Sequence, residues 1–436
     1  MRRERARDRE PARDSHKEFW IVHAQENPAD PVGTPGRREW RSNMLAESLA
    51  GRGHKALRWR SSFSHQAKRQ LVEGSPRQCA GSYDHQFLYG PPYRRHVGLA
   101  RVRHHRSLGR SFTQVSGDYG AKPDLIHVGN VPIELMYAAV RFGVTHAVPV
   151  VVDIRDLWPD AYLDLIPDWA RAIKPVARAG LRLASSRLNY SLRHATAITA
   201  LTRSYLDWGL RRAGRAERSD DRVFAMCYPC LEDPSATTVA ELRAKLGVAE
   251  DAVLGAYVGN IGFQSDFDTL IEAAAMLASS HPQFRLILAG SGPEAERLQG
   301  SARELPNVIF PGWLTGGEVQ ALLHISTFGM IAYREVDNFL LNIPNKFPEY
   351  LAGGLAVACG LHGEMGQLVQ ETGCGFLYTQ GNAASLAEQL ARSMADEHML
   401  GAMGDAATRL HRDRFDGAKV YPAFCDYLEK MAGHVR

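Results

Sequence analysis

The stretch Asn342-Ile343-Pro344-Asn345-Lys346-Phe347-Pro348-Glu349-Tyr350-Leu351-Ala352-Gly353-Gly354 gathers residue types that together suit anion chemistry. It reads as the opening of a helix shaped to receive a phosphate. Pro344 suits the first helical turn, where its missing N–H costs nothing. The next amides, at Asn345 and Lys346, then point out of the helix end, where unpaired N–H groups and the macrodipole favour an anion. Lys346 adds a full positive charge. Glu349 follows one turn later, within reach of a sugar hydroxyl beside that phosphate. Gly353-Gly354 ends the helix before the apolar strand Leu355–Ala358. An ordinary helix cap uses the same residue types.

Other loops carry related chemistry. Gly33-Thr34-Pro35-Gly36 follows the first apolar run, and its glycines permit close backbone approach to a ligand. Gly259-Asn260-Ile261-Gly262 follows the run Leu254–Val258 and can turn amides toward a phosphate. Asp266-Phe267-Asp268 has the form of a metal-binding carboxylate pair. Ser265 and Asp268 more simply prepare a helix start, and Thr269-Leu270-Ile271-Glu272 matches a capping box. Gly290-Ser291-Gly292-Pro293 resembles a dinucleotide fingerprint. Pro293 removes an amide from that turn, and the next strand ends at Phe310-Pro311 without a carboxylate for a ribose, which argues against a dehydrogenase. Cys227-Tyr228-Pro229-Cys230 is a single CxxC with no second pair and no nearby His cluster, so no metal site is expected.

These loops need elements to hold them. The apolar runs Phe19–His23, Leu57–Trp59, Asp124–Val128, Val148–Ile154 and Ala197–Leu201 predict strands, with helices over Trp40–Ala50, Pro132–Phe142 and Ile173–Leu192. A second series follows: strands at Leu254–Gly259, Phe284–Leu288, Val308–Phe310 and Phe328–Ala332, and helices at Thr269–Ala278, Glu294–Leu305 and Val319–His324. The final helices are Ala384–Met394 and Tyr421–Met431. This alternation predicts α/β architecture: two doubly wound, Rossmann-like domains facing across a crevice, with ligands at the carboxyl ends of the strands.

Length and charge agree with two units. The 436 residues suffice for two domains. A hydrophobic fraction of 45% is that of a soluble globular protein. No apolar run approaches the roughly 20 residues that cross a bilayer. Residues 1–17 are charged, lack a secretory core, and are expected to be a disordered tail. Six scattered cysteines fit a reducing cytoplasm. The net charge of +4 hides an asymmetry: residues 1–110 carry +12, 111–230 carry +3, and 231–436 carry −11. The boundary is placed near Tyr228–Pro234, giving units 18–228 and 229–417, with a helix in 418–436 returning to the first. A basic half suits an anionic partner. Tyr93–Arg106 mixes basic and apolar residues and suits a lipid-diphosphate acceptor at the inner face of an anionic membrane. No motif supports nucleic-acid binding.

In order along residues 19–380, several segments resemble the retaining glycosyltransferases of family 4, with the GT-B fold. They are Gly33–Gly36, Gly51-Arg52-Gly53-His54, Val152-Asp153-Ile154-Arg155-Asp156-Leu157-Trp158-Pro159, Tyr257–Asn260, Asp268–Glu272, Leu288–Pro293 and Pro344–Leu351. The form Arg155-Asp156-Leu157-Trp158-Pro159 is similar to bacterial surface-polysaccharide and amino-sugar transferases. The resemblance implies a nucleotide-diphosphate sugar, UDP foremost, bound by the second domain as co-substrate, with no other cofactor and no metal. Glu349 would hold the ribose. The amides after Pro344 and those of Gly259, Asn260 and Gly262 would hold the diphosphate, and the backbone at Trp313 and Leu314 would face the base. The first domain would hold a glycan, lipid-linked or small-molecule acceptor, with Arg155 and Asp156 at the crevice.

Two departures stand out. Leu341 occupies the position of the family's first motif Glu, and Gln264 and Ser265 replace the usual cations. Lys346, Arg155, Arg203 and Arg334 remain candidates to stabilise the leaving diphosphate. The alternatives are a nucleotide-sugar 2-epimerase of the same fold and a non-catalytic partner.

Overall fold

The computed structural model describes residues 16–433, apart from 27–39, 66, 95–97, 164, 165, 167, 229, 230 and 232. Gly33 and Gly36, and with them the first predicted ligand loop, lie outside the described residues, as do residues 1–15 of the predicted tail.

Apolar runs buried on both faces form parallel strands, because crossover helices cover each side of the sheet. The strands of the first half are β1 (Glu18–Val22), β2 (Lys55–Ser61), the ribbon pair β3 (Phe63–Ser64) and β4 (Arg69–Gln70), β5 (Arg77–Ala80), β6 (Tyr83–Leu88), β7 (Leu125–Gly129), β8 (Val150–Ile154), β9 (Ala197–Ala200) and β10 (Arg222–Val223). The second half adds β11 (Val253–Val258), β12 (Phe284–Ala289), β13 (Val308–Gly312), β14 (Phe328–Ile331), β15 (Ala356–Cys359) and β16 (Gly375–Leu377). The first sheet runs β10-β9-β8-β7-β1-β2-β6-β5 and the second β13-β12-β11-β14-β15-β16. In these two sheets only β5 pairs antiparallel, with β6.

Each order reverses once. The first switch lies between β1 and β7, the second between β11 and β14. Loops that follow those strands splay apart and leave a crevice, the usual ligand position in such sheets.

The first core packs Trp20 against Trp59, with ring centroids 4.7 Å apart, and Phe112 against Trp59 at 4.8 Å. The second sheet has apolar clusters on both faces, around Phe347 and Tyr350 on one and Phe267 and Phe284 on the other. The helix Gly417–Met431 returns to the first sheet and buries Tyr421, Phe424, Cys425 and Leu428 against Phe19, Ile21 and Leu45. Phe424 stacks on Phe224 at 4.0 Å. The two passages between the halves lie side by side. The Tyr228 amide donates to Phe415 O (3.2 Å), the Gly417 amide donates to Tyr228 O (2.9 Å), and His411 Nε2 sits 3.1 Å from the same carbonyl.

Several local expectations are corrected. The helix predicted from Thr269 begins at Phe267, so Thr269 and Glu272 form no capping box. Asp266 is the residue before the helix; its carboxylate accepts from the Thr269 hydroxyl (2.7 Å) and the Gly381 amide (3.1 Å). Asp268 binds Arg297 instead, at 2.9 and 3.0 Å. Strands β5 and β6 escaped prediction because β6 places His85 and Gln86 at buried positions, which hides its apolar character. The segment Tyr93–Arg106 runs into the helix Leu99–Gly117, where Arg101, His104 and His105 are buried. Arg101 lies over the Trp158 ring at 4.7 Å, and His104 Nδ1 contacts Pro91 O at 2.8 Å. Three residues of that basic run are therefore core rather than surface, while Arg94, Arg103 and Arg106 are exposed.

Candidate active site between the two sheets

The wall from the second half is built at its switch point. β11 ends at Val258 and is followed by Gly259, whose φ of +139° favours glycine. A Cβ there would stand 2.8 Å from Lys346 Nζ. The missing side chain thus makes room for the ammonium. Lys346 is 8% exposed, and its Nζ donates to Tyr333 Oη at 2.9 Å. The rings of Tyr257 and Tyr333 lie 4.8 and 5.0 Å from it. Among the described residues the ammonium has no carboxylate partner, so its charge faces only π faces, a phenol and the crevice loop.

The loops after β11 and β12 are clasped together. A Cβ on Gly290 would lie 1.8 Å from Gly259 O, and one on Gly292 would lie 2.2 Å from Ile261 O. The Gly259 amide donates to Ala289 O (2.9 Å) and the Ile261 amide to Ser291 O (3.0 Å). The Gly-Ser-Gly spacing therefore serves backbone contact between two loops. It also corrects the predicted diphosphate cradle: the amide of Gly259 is already used, and those of Asn260 and Gly262 lie outside the clasp.

The wall from the first half follows β8. The Arg155 amide donates to Asn130 Oδ1 (3.0 Å), and Asn130 Nδ2 donates to Asp156 O (2.6 Å), so the switch-point loop after β7 fixes both residues. The Arg155 guanidinium pairs with Glu26 and reaches His23 Nε2 at 2.9 Å. Glu26 also accepts from the Ser42 amide at 2.8 Å. Arg58, fully buried in β2, donates to Asn43 Oδ1 (2.6 Å), His23 O (2.9 Å) and Glu26 O (2.5 Å). Beneath them Arg41 Nε meets Asp153 Oδ2 at 3.4 Å.

Electrostatics follow from burial and these partners. Burial alone would raise the Glu26 carboxyl, but Arg155, His23 and Arg58 hold it well below the usual range. Burial lowers His23 to about 3 and His127 to about 4. Both imidazoles are neutral at physiological pH. Burial pushes the Asp156 carboxyl up, against Asn338 and Arg155.

A cavity of about 270 Å³ separates the walls, with His23, Glu26, Arg155 and Asp156 on one side and Tyr333, Asn338 and Asn345 on the other. Asn338 bridges it. Its Oδ1 accepts from the Leu157 amide (2.9 Å), its Nδ2 lies 3.4 Å from Asp156 Oδ1, and its carbonyl accepts from Tyr205 Oη (2.7 Å). Thr202 Oγ1 donates to Leu341 O at 2.6 Å, so the residue in place of the expected Glu joins the halves through its backbone.

The predicted site residues divide accordingly. Arg155, Asp156 and Asn345 line the cavity, and Lys346 lies directly behind Tyr333. Glu349 is buried on the same short helix, Lys346–Ala352. Pro344 precedes that helix instead of opening it, because the turn closed by the Phe347 amide on Pro344 O comes first. Trp313 is 76% exposed at the end of β13 and lies outside the cavity, whereas the Leu314 side chain is core. Arg203 is removed from the candidate cations: it pairs on the surface with Glu217 and Asp207. Arg334 Nε donates to Phe263 O at 3.2 Å on the exposed loop. His23, Glu26, Arg58 and Asn338 were missed. The one signal for them was an arginine set inside the apolar strand Leu57-Arg58-Trp59.

Comparison with known proteins sharpens this picture. Residues 238–410 match the family described as "Glycosyl transferases group 1". A 2-deoxystreptamine glucosyltransferase of Streptomyces kanamyceticus is 25% identical over 139 residues, 31% of this chain; the match spans about a third (36%) of that relative's length. Among solved structures, the sucrose-phosphate synthase of Thermosynechococcus elongatus superposes with a TM-score of 0.70 at 16% identity, covering 95% of this chain and 99% of that one. Anabaena HepE in complex with UDP-glucose gives 0.64 at 17% identity, covering 95% and 100%. The E. coli trehalose-6-phosphate protein bound with UDP-2-fluoro glucose gives 0.68 at 10% identity, covering 96% and 99%. The chain thus has the GT-B fold, and within its second half residues 238–410 match the glycosyltransferase group 1 family.

Proposed function

We propose that this chain transfers a sugar from a nucleoside-diphosphate donor, UDP foremost, to a hydroxyl acceptor, with retention at the anomeric carbon, as in family 4. The observation that carries this reading is Lys346: a buried ammonium seated in the space of a missing Cβ at the second switch point, without a carboxylate partner among the described residues. A departing diphosphate beside Gly259 would meet that charge and the amides of Asn260 and Gly262. Preorganised donors of this kind act where charge develops in the transition state.

In the proposed step the bond from the anomeric carbon to the diphosphate oxygen breaks. The acceptor oxygen bonds to the same face of that carbon, and its proton passes to the departing phosphate oxygen. No metal or further cofactor takes part. Glu349 holds the ribose. Asp156, its carboxyl shifted toward the neutral form by burial, and Arg155, steadied by Glu26 and His23, bind acceptor hydroxyls. The 2-deoxystreptamine glucosyltransferase is a relative named for a small polyhydroxylated acceptor, and the cavity here has room for a group of that size. A lipid-linked glycan would present a similar terminal sugar.

The test is incubation with a panel of nucleotide sugars, reading nucleoside diphosphate release with and without sugar acceptors. Acceptor-dependent release supports transfer. Release of nothing, together with no measurable UDP binding, ends the proposal. Conversion of the donor to its 2-epimer without an acceptor would replace it with the epimerase reading.

A further inference from the structure

A second surface lies outside the crevice. A groove of about 940 Å³ runs between the helices Leu99–Gly117, Ile133–His146 and Arg182–His194. Arg106, Arg110, Arg141 and Arg187 line it, against one carboxylate, Glu134. Arg187 and Arg141 flank the Tyr137 ring at 5.6 and 5.9 Å, and Leu183 closes one edge.

Leu183 continues into the helix Lys174–Gly180, which buries none of its own residues. Ile173, Val176 and Leu183 are 54%, 74% and 55% exposed. They fall within eleven residues, across the junction at Leu181 between that helix and the helix Arg182–His194. Lys174, Arg178 and Arg182 interleave with them, and no ion pair joins these three to another of the described residues. Large aliphatic side chains are exposed here among unneutralised cations, beside a groove with a four-to-one excess of arginine. Cations alone would suit any polyanion. The aliphatic row suits only a partner with an apolar interior beneath an anionic surface.

We propose that this face, formed by residues 173–183 with the adjoining arginine groove, docks on an anionic lipid bilayer. Ile173, Val176 and Leu183 enter the headgroup–acyl boundary, and Lys174, Arg178, Arg182, Arg106 and Arg110 meet the lipid phosphates. Of the stretch Tyr93–Arg106, whose Arg101 and His104 are buried, this face keeps only Arg106.

Flotation of the full chain with phosphatidylglycerol vesicles at low salt tests this, with phosphatidylcholine vesicles as reference. The expected result is binding to the anionic vesicles, weakened at high salt, and little to the neutral ones. Ile173→Ser with Val176→Ser, and separately Arg178→Glu with Arg182→Glu, each weaken binding on the order of tenfold or more. Both pairs are exposed and neither lines the crevice cavity, so melting temperature and nucleoside diphosphate release from a soluble donor stay at wild-type values. The proposal is overturned by absence of flotation at low salt, by double variants that float like wild type, or by preference for an oligonucleotide over anionic vesicles.

Discussion

Lys346 and Gly259 form one device, and substitution at either reports on it. Lys346→Ala removes the ammonium and lowers turnover about 10²–10³-fold, read as nucleoside diphosphate release. Gly259→Ala forces a Cβ to within 2.8 Å of the ammonium on a backbone that disfavours L side chains, so activity falls with a stability loss of about 1–3 kcal/mol. Gly290→Ala differs in kind. Its Cβ would meet the Gly259 carbonyl at 1.8 Å, and backbone cannot swing aside as a lysine tail can. Thermal melting is expected to show a larger loss for Gly290→Ala, about 3 kcal/mol; equal melting of the two variants contradicts the clasp. The buried imidazoles make a separate prediction. His23 and His127 sit at about 3 and about 4 when folded, below the ordinary value near 6.5. The unfolded chain therefore binds more protons below pH 6.5, and stability is lost as pH falls toward the folded values. Each contributes a slope that rises from about 0.7 kcal/mol per pH unit at pH 6.5 to about 1.3 at pH 5. His127→Gln removes one share; urea unfolding between pH 6.5 and 5 measures it, and an unchanged slope contradicts the assignment.

At the scale of elements, the segment Asp337–Asn345 carries the second half onto the first. Asn338 contacts Leu157, Tyr205 and Asp156. Asn338→Ala leaves each half intact and is expected to reduce kcat/KM about tenfold with little change in melting temperature. Asn338→Asp, which sets a carboxylate against Asp156, is expected to do worse; wild-type kinetics for both would show that the bridge has no part in turnover. This segment also marks the limit of what sequence discloses. Strands such as Val150–Ile154 and Val253–Val258 are apolar throughout because parallel strands are covered on both faces, and they are legible for that reason. Lys346, Arg155 and Asp156 are legible because they adjoin such strands or a helix start. Asn338, Glu26 and His23 are not. Their importance arises from partners more than a hundred residues away, or from a charge balance struck only after Arg58 and Arg155 are buried together. Leu314 was proposed for its main chain after β13, and its side chain, turned into the core, leaves that main chain in place.

Across the whole molecule, the last helix makes the first half depend on the end of the chain. Phe424 stacks on Phe224 and edges His127 at 5.3 Å, so Phe424→Ala is expected to cost about 3–5 kcal/mol in denaturant unfolding. If that loss falls on the second half alone, the packing assignment is wrong. Substrate engagement in such a crevice calls for relative movement of the halves. The described crossings restrict its form. Tyr228 and the Phe415–Gly417 segment are tied by main-chain hydrogen bonds, so the two connecting strands behave as one spindle. Around a spindle the lobes pivot, and they are resisted from sliding past each other or drawing straight apart. The jaw at Lys346 and Arg155 then opens through an arc whose axis runs by His411, a residue that does not line the crevice cavity.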